Sequence, residues 1–529
     1  MAMTSGSLLV AGTASDAGKS VLTAGICRWL ARQGVRVAPF KAQNMSNNSM
    51  VTPDGAEIGR AQAMQAAAAG LEPEAVMNPV LLKPGGDQRS QLVVMGHPAG
   101  DTDARAYWAG QAGRAALLRL VLGAYDDLRS RFDVVICEGA GSPAEINLRA
   151  GDIVNMGLAR ARRLPVIVAG DIDRGGVFAA LYGTVALLEP ADQALISGLL
   201  VNKFRGDPAL LRPALRQISA LTGRPVLGAV PYLTGIGLDA EDAVAVGRYG
   251  DGGAAPPHGA DVLRVAVVKL PRISNFTDVD ALAVEPGVVI RFVSTVAELA
   301  DADLVVLPGT RATVADLGWL RSRALDAALV RRAAQGRPVL GICGGYQMLG
   351  TAIHDGVESA AARVAGLGLL PVTTRFARDK TLGRPAGYAF GQPVTGYEIH
   401  HGLVEVHGGT GWFTGRADGG AALDGCQAGA VRGTLWHGAF ENDAFRRAYL
   451  SETARLAGRR FRAAPGVSFA AARQAQFDTL ADAVARHLDT GALLRLIEHG
   501  PPPGLRVLPP GAQRARAAGS AAYSTGISP

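Results

Sequence analysis

The sequence predicts an α/β protein of two domains, each built on a parallel sheet, and three observations carry that prediction. Apolar runs without alternation ("SLLVAG", "VRVAPF", "DVVICEG", "LPVIVAGD", "ISGLLVNKF", "PVLGAVP") alternate with helical stretches, as strands do when crossover helices cover both faces. Beyond the Gly-, Pro- and Ala-rich stretch "RYGDGGAAPPHGAD" the alternation restarts with "VLRVAVVKL", "GVVIRFV", "ADLVVLPG" and "RPVLGIC". A chain of 529 residues, 48% of them hydrophobic, also exceeds one ordinary core. The boundaries expected are a first domain over 1–250, a linker over 251–261, a second domain over 262–500 and a disordered tail over 501–529.

The first strand, loop and helix read "LLVAGTASDAGKS". Gly12, Thr13, Gly18, Lys19 and Ser20 fall between a buried strand and a helix running from Lys19 to about Gln33. Backbone amides there cradle phosphates, Lys19 reaches the β and γ oxygens of ATP, and the Ser20 hydroxyl ligates Mg²⁺. Five residues separate the two glycines where four are usual, and this longer loop resembles that of dethiobiotin synthetase and its relatives, which phosphorylate carboxylates.

Each later strand end adds a charge. Lys41 follows "VRVAPF" and is placed to neutralise charge as the phosphoryl group moves. Asp54, in the polar segment after it, is a candidate metal ligand with Glu57 close by. "FDVVICEGAGSPAEINL" supplies Glu138 as the acidic partner of Mg²⁺. "GDIDRGG" carries Asp171, Asp173 and Arg174 for substrate or phosphoryl contacts, and "VNKFRGD" carries Asn202 and Lys203 for the nucleotide, because ligands of open α/β sheets bind at the carboxyl ends of strands.

In the second domain "PVLGICGGYQMLG" sets Cys343 on a sharp strand-to-helix turn whose glycines admit a substrate, the arrangement of a nucleophile elbow. A thiolate nucleophile needs a proton carrier and an oxyanion hole. His437 in "RGTLWHGAFEND" fills the first role, and the amides of Gly344 and of Gly309 in "LVVLPGT" fill the second. The late stretch "FAAARQAQFDTLADAVARHLDTGALLRLIEHG" aligns Phe477, Leu480, Val484 and Leu488 on one helical face, expected to pack on the second domain.

These residues give the second domain a resemblance to class I glutamine amidotransferases, which implies a flavodoxin-like fold and attack of Cys343 on glutamine to release ammonia. Most of that class follow the histidine with Pro-Glu. Here Gly438 and Ala439 follow, as in the cobyrinate-amidating branch, and Glu441 is the candidate third member of the triad. With "FKAQNMSNNSMVTPDGAEIGRAQAMQA", "NPVLLKP", "RISNFTDVDAL", "LPGTRATVADLGWL" and "GYEIHHG", the chain as far as the tail resembles the cobyric acid synthase family. The resemblance implies a ligase that uses ATP, Mg²⁺ and glutamine to amidate carboxylates b, d, e and g of adenosylcobyrinic acid a,c-diamide in cobalamin biosynthesis, with no tightly bound organic cofactor. The rival readings are cobyrinic acid a,c-diamide synthase or another amidoligase and, more remotely, a partition-type P-loop ATPase switch.

Composition narrows the partners to small molecules. The net charge is +7, but Arg506, Arg514 and Arg516 lie in the acid-free tail, and 5% aromatic residues offer no platform for nucleic acid. Four scattered cysteines without metal or disulfide spacing, no basic leader and no 18-residue apolar run predict a reduced, cytoplasmic protein that enters no membrane. A homo-oligomer is compatible with the sequence.

Overall fold

A computed structural model describes residues 4–84, 89–103, 111–237, 239, 255–359 and 361–510. Two six-stranded sheets organise the chain. The first has the order Val226–Pro231, Ile196–Phe204, Val166–Asp171, Gly6–Gly12, Val134–Glu138, Val37–Phe40, and every neighbouring pair is parallel. The second runs Val288–Val293, Leu263–Val268, Leu304–Leu307, Val339–Ile342, Val431–Thr434, Cys426–Ala428, parallel except for its last, antiparallel edge. Their central strands are buried at every position but Gly6, which is why these segments read as unbroken apolar runs.

Register places the chemistry. Val10 pairs with Glu138, so the carboxylate stands beside the loop that follows Gly12. Asp171 pairs with Asn202. In the second sheet Leu307 pairs with Gly341 and Ile342 with Thr434, and the turns after three neighbouring strands meet at Cys343.

Three expectations change. The stripe Phe477, Leu480, Val484, Leu488 is buried, but helices Phe469–His487 and Thr490–His499 pack on the first sheet's side, against Leu22, Ala24 and Ile26 of helix Lys19–Ala31. Gly25 allows the approach, since a Cβ there would lie 3.0 Å from the Leu480 carbonyl, and Arg28 and Arg32 pair with Asp478 and Asp482. An amphipathic face requires an apolar partner without specifying which one, and here helix Lys19–Ala31 supplies it. The beginning of the tail is also ordered. Leu508 is buried and exchanges hydrogen bonds with the Gln193 side chain, while the buried Arg224 guanidinium donates to the Arg506 carbonyl; residues 511–529 lie outside the described residues. Of the expected linker, 251–254 likewise lie outside them, and Ala255 and Ala260 bond Gly287 and Arg460 of the second domain.

Phe477 is fully buried. Phe477→Ala is therefore expected to cost about 3–5 kcal/mol at this seam, read as a lower melting temperature of the full chain. An unchanged melting temperature would contradict the packing.

Candidate active sites

The phosphate loop is shaped by residues the sequence singles out. Gly18 has φ +89°, and a Cβ on it would lie 2.2 Å from Asn202 Nδ2, so only glycine fits. Asn202 Nδ2 donates to the Ala17 carbonyl at 2.9 Å and fixes the loop. Lys203 Nζ bonds the Asp16 carbonyl and Asp171 Oδ2, Arg174 pairs with Asp16, and Asp173 with Arg205. These side chains form one charged rim around the loop. Lys19 is buried, its Nζ within 3.0 Å of the carbonyls of Ala14, Ser15 and Gly141. The Thr13 amide serves the sheet through the Ala169 carbonyl.

Glu138 sits at the mouth of the loop and is almost wholly buried. Its Oε1 accepts from Ser20 Oγ and from Lys41 Nζ, both at 2.8 Å, and its Oε2 from Gln65 Nε2 at 2.5 Å. Burial pushes its carboxyl up, but the Lys41 ammonium and these hydrogen bonds prevail and hold it below the ordinary carboxylate range. Gln65, on helix Arg60–Ala68, went unnoticed in the sequence although it lies inside the segment "GRAQAMQA". Its Oε1 is buried without a hydrogen-bond partner.

This donor set fits Mg²⁺, which takes a few protein oxygens and completes its shell with water and phosphate. A serine hydroxyl, a carboxylate and an unpartnered amide oxygen converge here, whereas among the described residues no cluster of three His, Cys, Asp or Glu could hold a metal by itself. Asp54 does not join them. It is exposed at the tip of the hairpin formed by Ser49–Val51 and Glu57–Gly59, bonded to the Thr52 hydroxyl, because that hairpin turns toward the second domain. Glu57 at its base is buried between Lys83 and Lys380.

The second site lies at the other sheet. Cys343 has φ 50° and ψ −111° between strand Val339–Ile342 and helix Gly344–Leu349, a strained conformation for a non-glycine residue. The following glycines are required by packing: a Cβ on Gly345 would lie 2.0 Å from the Leu307 carbonyl, and one on Gly344 2.7 Å from Thr310 Cγ2. Gly309 is equally confined, with the Ser274 carbonyl 2.9 Å and His437 Cε1 3.2 Å from the position of its missing Cβ. The turn at Gly309 therefore lies directly against the imidazole.

His437 lines the same pocket as Cys343 and is held by Asp278, with Nδ1 2.7 Å from Asp278 Oδ2. Asp278 Oδ1 also accepts the Gly438 amide at 2.8 Å, and Tyr397 stacks on the imidazole. Burial alone would lower the pKa of His437, but the Asp278 carboxylate and Cys343 outweigh it and raise it to about 10.

Asp278, from the segment "RISNFTDVDAL", thus occupies the position expected for Glu441. The Glu441 carboxylate instead accepts from Arg60 and pairs with Arg473 across the boundary between the two halves. The reason lies in the backbone after the histidine. Gly438, at φ +70°, starts the turn Ala439–Glu441, and Glu441 ends up beside Arg60 in the first half.

Residues 264–445 match the model of the CobB/CobQ-like glutamine amidotransferase domain, and residues 8–243 that of the CobQ/CobB/MinD/ParA nucleotide binding domain. Cobyric acid synthase of Streptomyces avermitilis is 62% identical over 511 residues, covering 96% of this chain and 99% of that protein. The chain belongs to the cobyric acid synthase family. Cobyric acid synthase of Frankia casuarinae is likewise 62% identical, over 96% of this chain and 100% of that protein. Membership in the cobyric acid synthase family, with its nucleotide-binding and glutamine amidotransferase domains, makes the chain an ATP-binding, glutamine-dependent ligase of cobalamin synthesis. Among the described residues no helix is long and apolar enough to cross a membrane.

Proposed function

We propose that this chain amidates carboxylates b, d, e and g of adenosylcobyrinic acid a,c-diamide, joining two half-reactions. In the first, the Cys343 thiolate attacks the carboxamide carbon of glutamine while the amides of Gly309 and Gly344 take the oxyanion. His437, oriented by Asp278, gives its proton to the departing ammonia, and water then hydrolyses the glutamyl thioester to glutamate.

In the second, a corrinoid carboxylate oxygen attacks the γ-phosphorus of ATP, giving an acyl phosphate and ADP. Ammonia then adds to the acyl carbon and phosphate leaves, a far better leaving group than oxide. Lys19 and Lys41 bind the phosphoryl oxygens, and Asn202 and Lys203 hold the loop around the nucleotide. Asp171, Asp173 and Arg174 shape its rim. Ser20 and Glu138 would hold Mg²⁺, which neutralises charge on the transferring phosphates when bound.

The observation that carries this reading is the His437–Asp278 pair beside Cys343 in the same chain as a phosphate loop faced by Glu138. The test is mass spectrometry after incubation with ATP, Mg²⁺, glutamine and adenosylcobyrinic acid a,c-diamide. Four successive losses of about one mass unit, as hydroxyl becomes amino, are expected; glutamine hydrolysis with an unchanged corrinoid would redirect the acceptor.

Asp278→Asn supplies a second test. Loss of the carboxylate removes both the orientation and the counter-charge of His437, so glutamine-dependent turnover should fall about 10³–10⁴-fold. With the counter-charge gone, burial draws the imidazolium back down, and the alkaline limb of the residual activity should move to lower pH. An unaltered pH profile would remove Asp278 from the proton relay.

A further inference from the structure

Beside Cys343 lies a pocket whose lining includes Cys343, His437, Arg311 and Glu358. Arg311 directly follows Thr310, whose methyl abuts Gly344 in the nucleophile turn. Arg311 Nη1 donates to Glu358 Oε1 at 2.9 Å, and both side chains are mostly buried. The pairing is incomplete on both sides, for Arg311 Nε and Glu358 Oε2 are buried with no hydrogen-bond partner among the described residues. Such atoms cost free energy unless something fills the cavity. Lys83 and Lys380 also border it, but both ammonium groups are bound to Glu57.

Glutamine brings two charges into this space, an α-carboxylate and an α-ammonium, a short side chain away from the carboxamide that meets Cys343. The unpartnered guanidinium nitrogen and carboxylate oxygen are complementary to them. We infer that Arg311 and Glu358 determine amino-donor specificity by reading the head group of glutamine, Arg311 taking the α-carboxylate and Glu358 the α-ammonium. Burial pushes the Glu358 carboxyl up to about 7 despite Arg311, the state of an acid short of counter-charge, and a bound ammonium supplies it. Because the loss of a charged hydrogen-bond partner leaves a buried group uncompensated, donors lacking either charge are rejected more strongly than their size alone explains.

This inference rests on the glutaminase reading of Cys343, and one experiment separates the two. Release of ammonia by the full chain, with ATP and Mg²⁺ present, is measured from glutamine, from 4-carbamoylbutanoate, which lacks the α-ammonium, and from glutamine α-amide, which lacks the α-carboxylate. Native protein should prefer glutamine over each analogue by at least about tenfold in kcat/KM. In Glu358→Gln the preference over 4-carbamoylbutanoate should collapse toward unity, chiefly through a higher KM for glutamine, and Arg311→Gln should do the same for the α-amide.

Equal use of all three donors by the native protein would overturn the inference, and so would variants that slow every donor by the same factor. The native comparison decides even if a variant fails to fold. No release of ammonia from any donor would instead overturn the role of Cys343.

Discussion

Cys343→Ser is expected to lower glutamine-dependent amidation by about 10⁴-fold or more while synthesis from concentrated ammonium salt continues. The substitution exchanges one atom at a residue only 8% exposed, so the turn and its glycines keep their packing. What is lost is the sulfur nucleophile: a serine hydroxyl is far harder to deprotonate than a thiol and a far weaker attacking group, and the imidazolium–thiolate pairing that helps raise the pKa of His437 in the native protein goes with the sulfur. Nothing in the ATP half depends on that sulfur, since Lys19, Ser20, Lys41 and Glu138 bond one another and the loop. Corrinoid amidation followed by mass spectrometry, run in parallel with glutamine and with ammonium chloride, reads both outcomes. Failure with both nitrogen sources would show that the half-reactions cannot be separated.

How much of this was legible in the sequence depends on whether the deciding interaction is local. Both parallel sheets, the phosphate loop, Glu138 and the nucleophile turn are written in contiguous segments, where an apolar run meets glycines and a polar residue. The run "PVLGICGG" illustrates this, because the strand, Cys343 and the glycines that begin the helix are contiguous. Asp278 is different. It meets His437 only because the strands Leu263–Val268 and Val431–Thr434 belong to one sheet, each followed by a loop that crosses toward Cys343.

No spacing rule connects residues 278 and 437, and proximity in sequence favoured Glu441 instead. The C-terminal helix poses the same problem on a larger scale, for its apolar stripe is evident while the glycine that receives it, Gly25, lies more than four hundred residues earlier. The region 352–428 folds into strands paired antiparallel, apart from Ala352–His354 beside Val372–Gly383, and their exposed positions interrupt the continuous apolar runs by which the buried parallel strands are recognised.

Lys19→Ala tests the other half, with an effect of similar size: amidation should fall at least about 10³-fold with glutamine and with ammonium alike. Ammonia supplied in excess cannot rescue this variant, because a free carboxylate has no leaving group and the acyl phosphate is never formed. Glutamine hydrolysis should remain measurable, since Cys343, His437 and Asp278 stand at the second sheet and Lys19 at the loop of the first. One complication is structural. The Lys19 ammonium satisfies the carbonyls of Ala14, Ser15 and Gly141, and its removal leaves buried acceptors at a cost of about 1–3 kcal/mol each where water cannot reach them. A melting curve therefore accompanies the assay, with Lys19→Arg as a variant that retains the charge but not its position. If Lys19→Ala melts as the native protein does yet still makes amide from ammonium, phosphoryl transfer does not pass through this loop. If it is inactive with both nitrogen sources while glutamine is still cleaved, ammonia production and carboxylate activation are two separate reactions performed at the ends of two sheets in one chain.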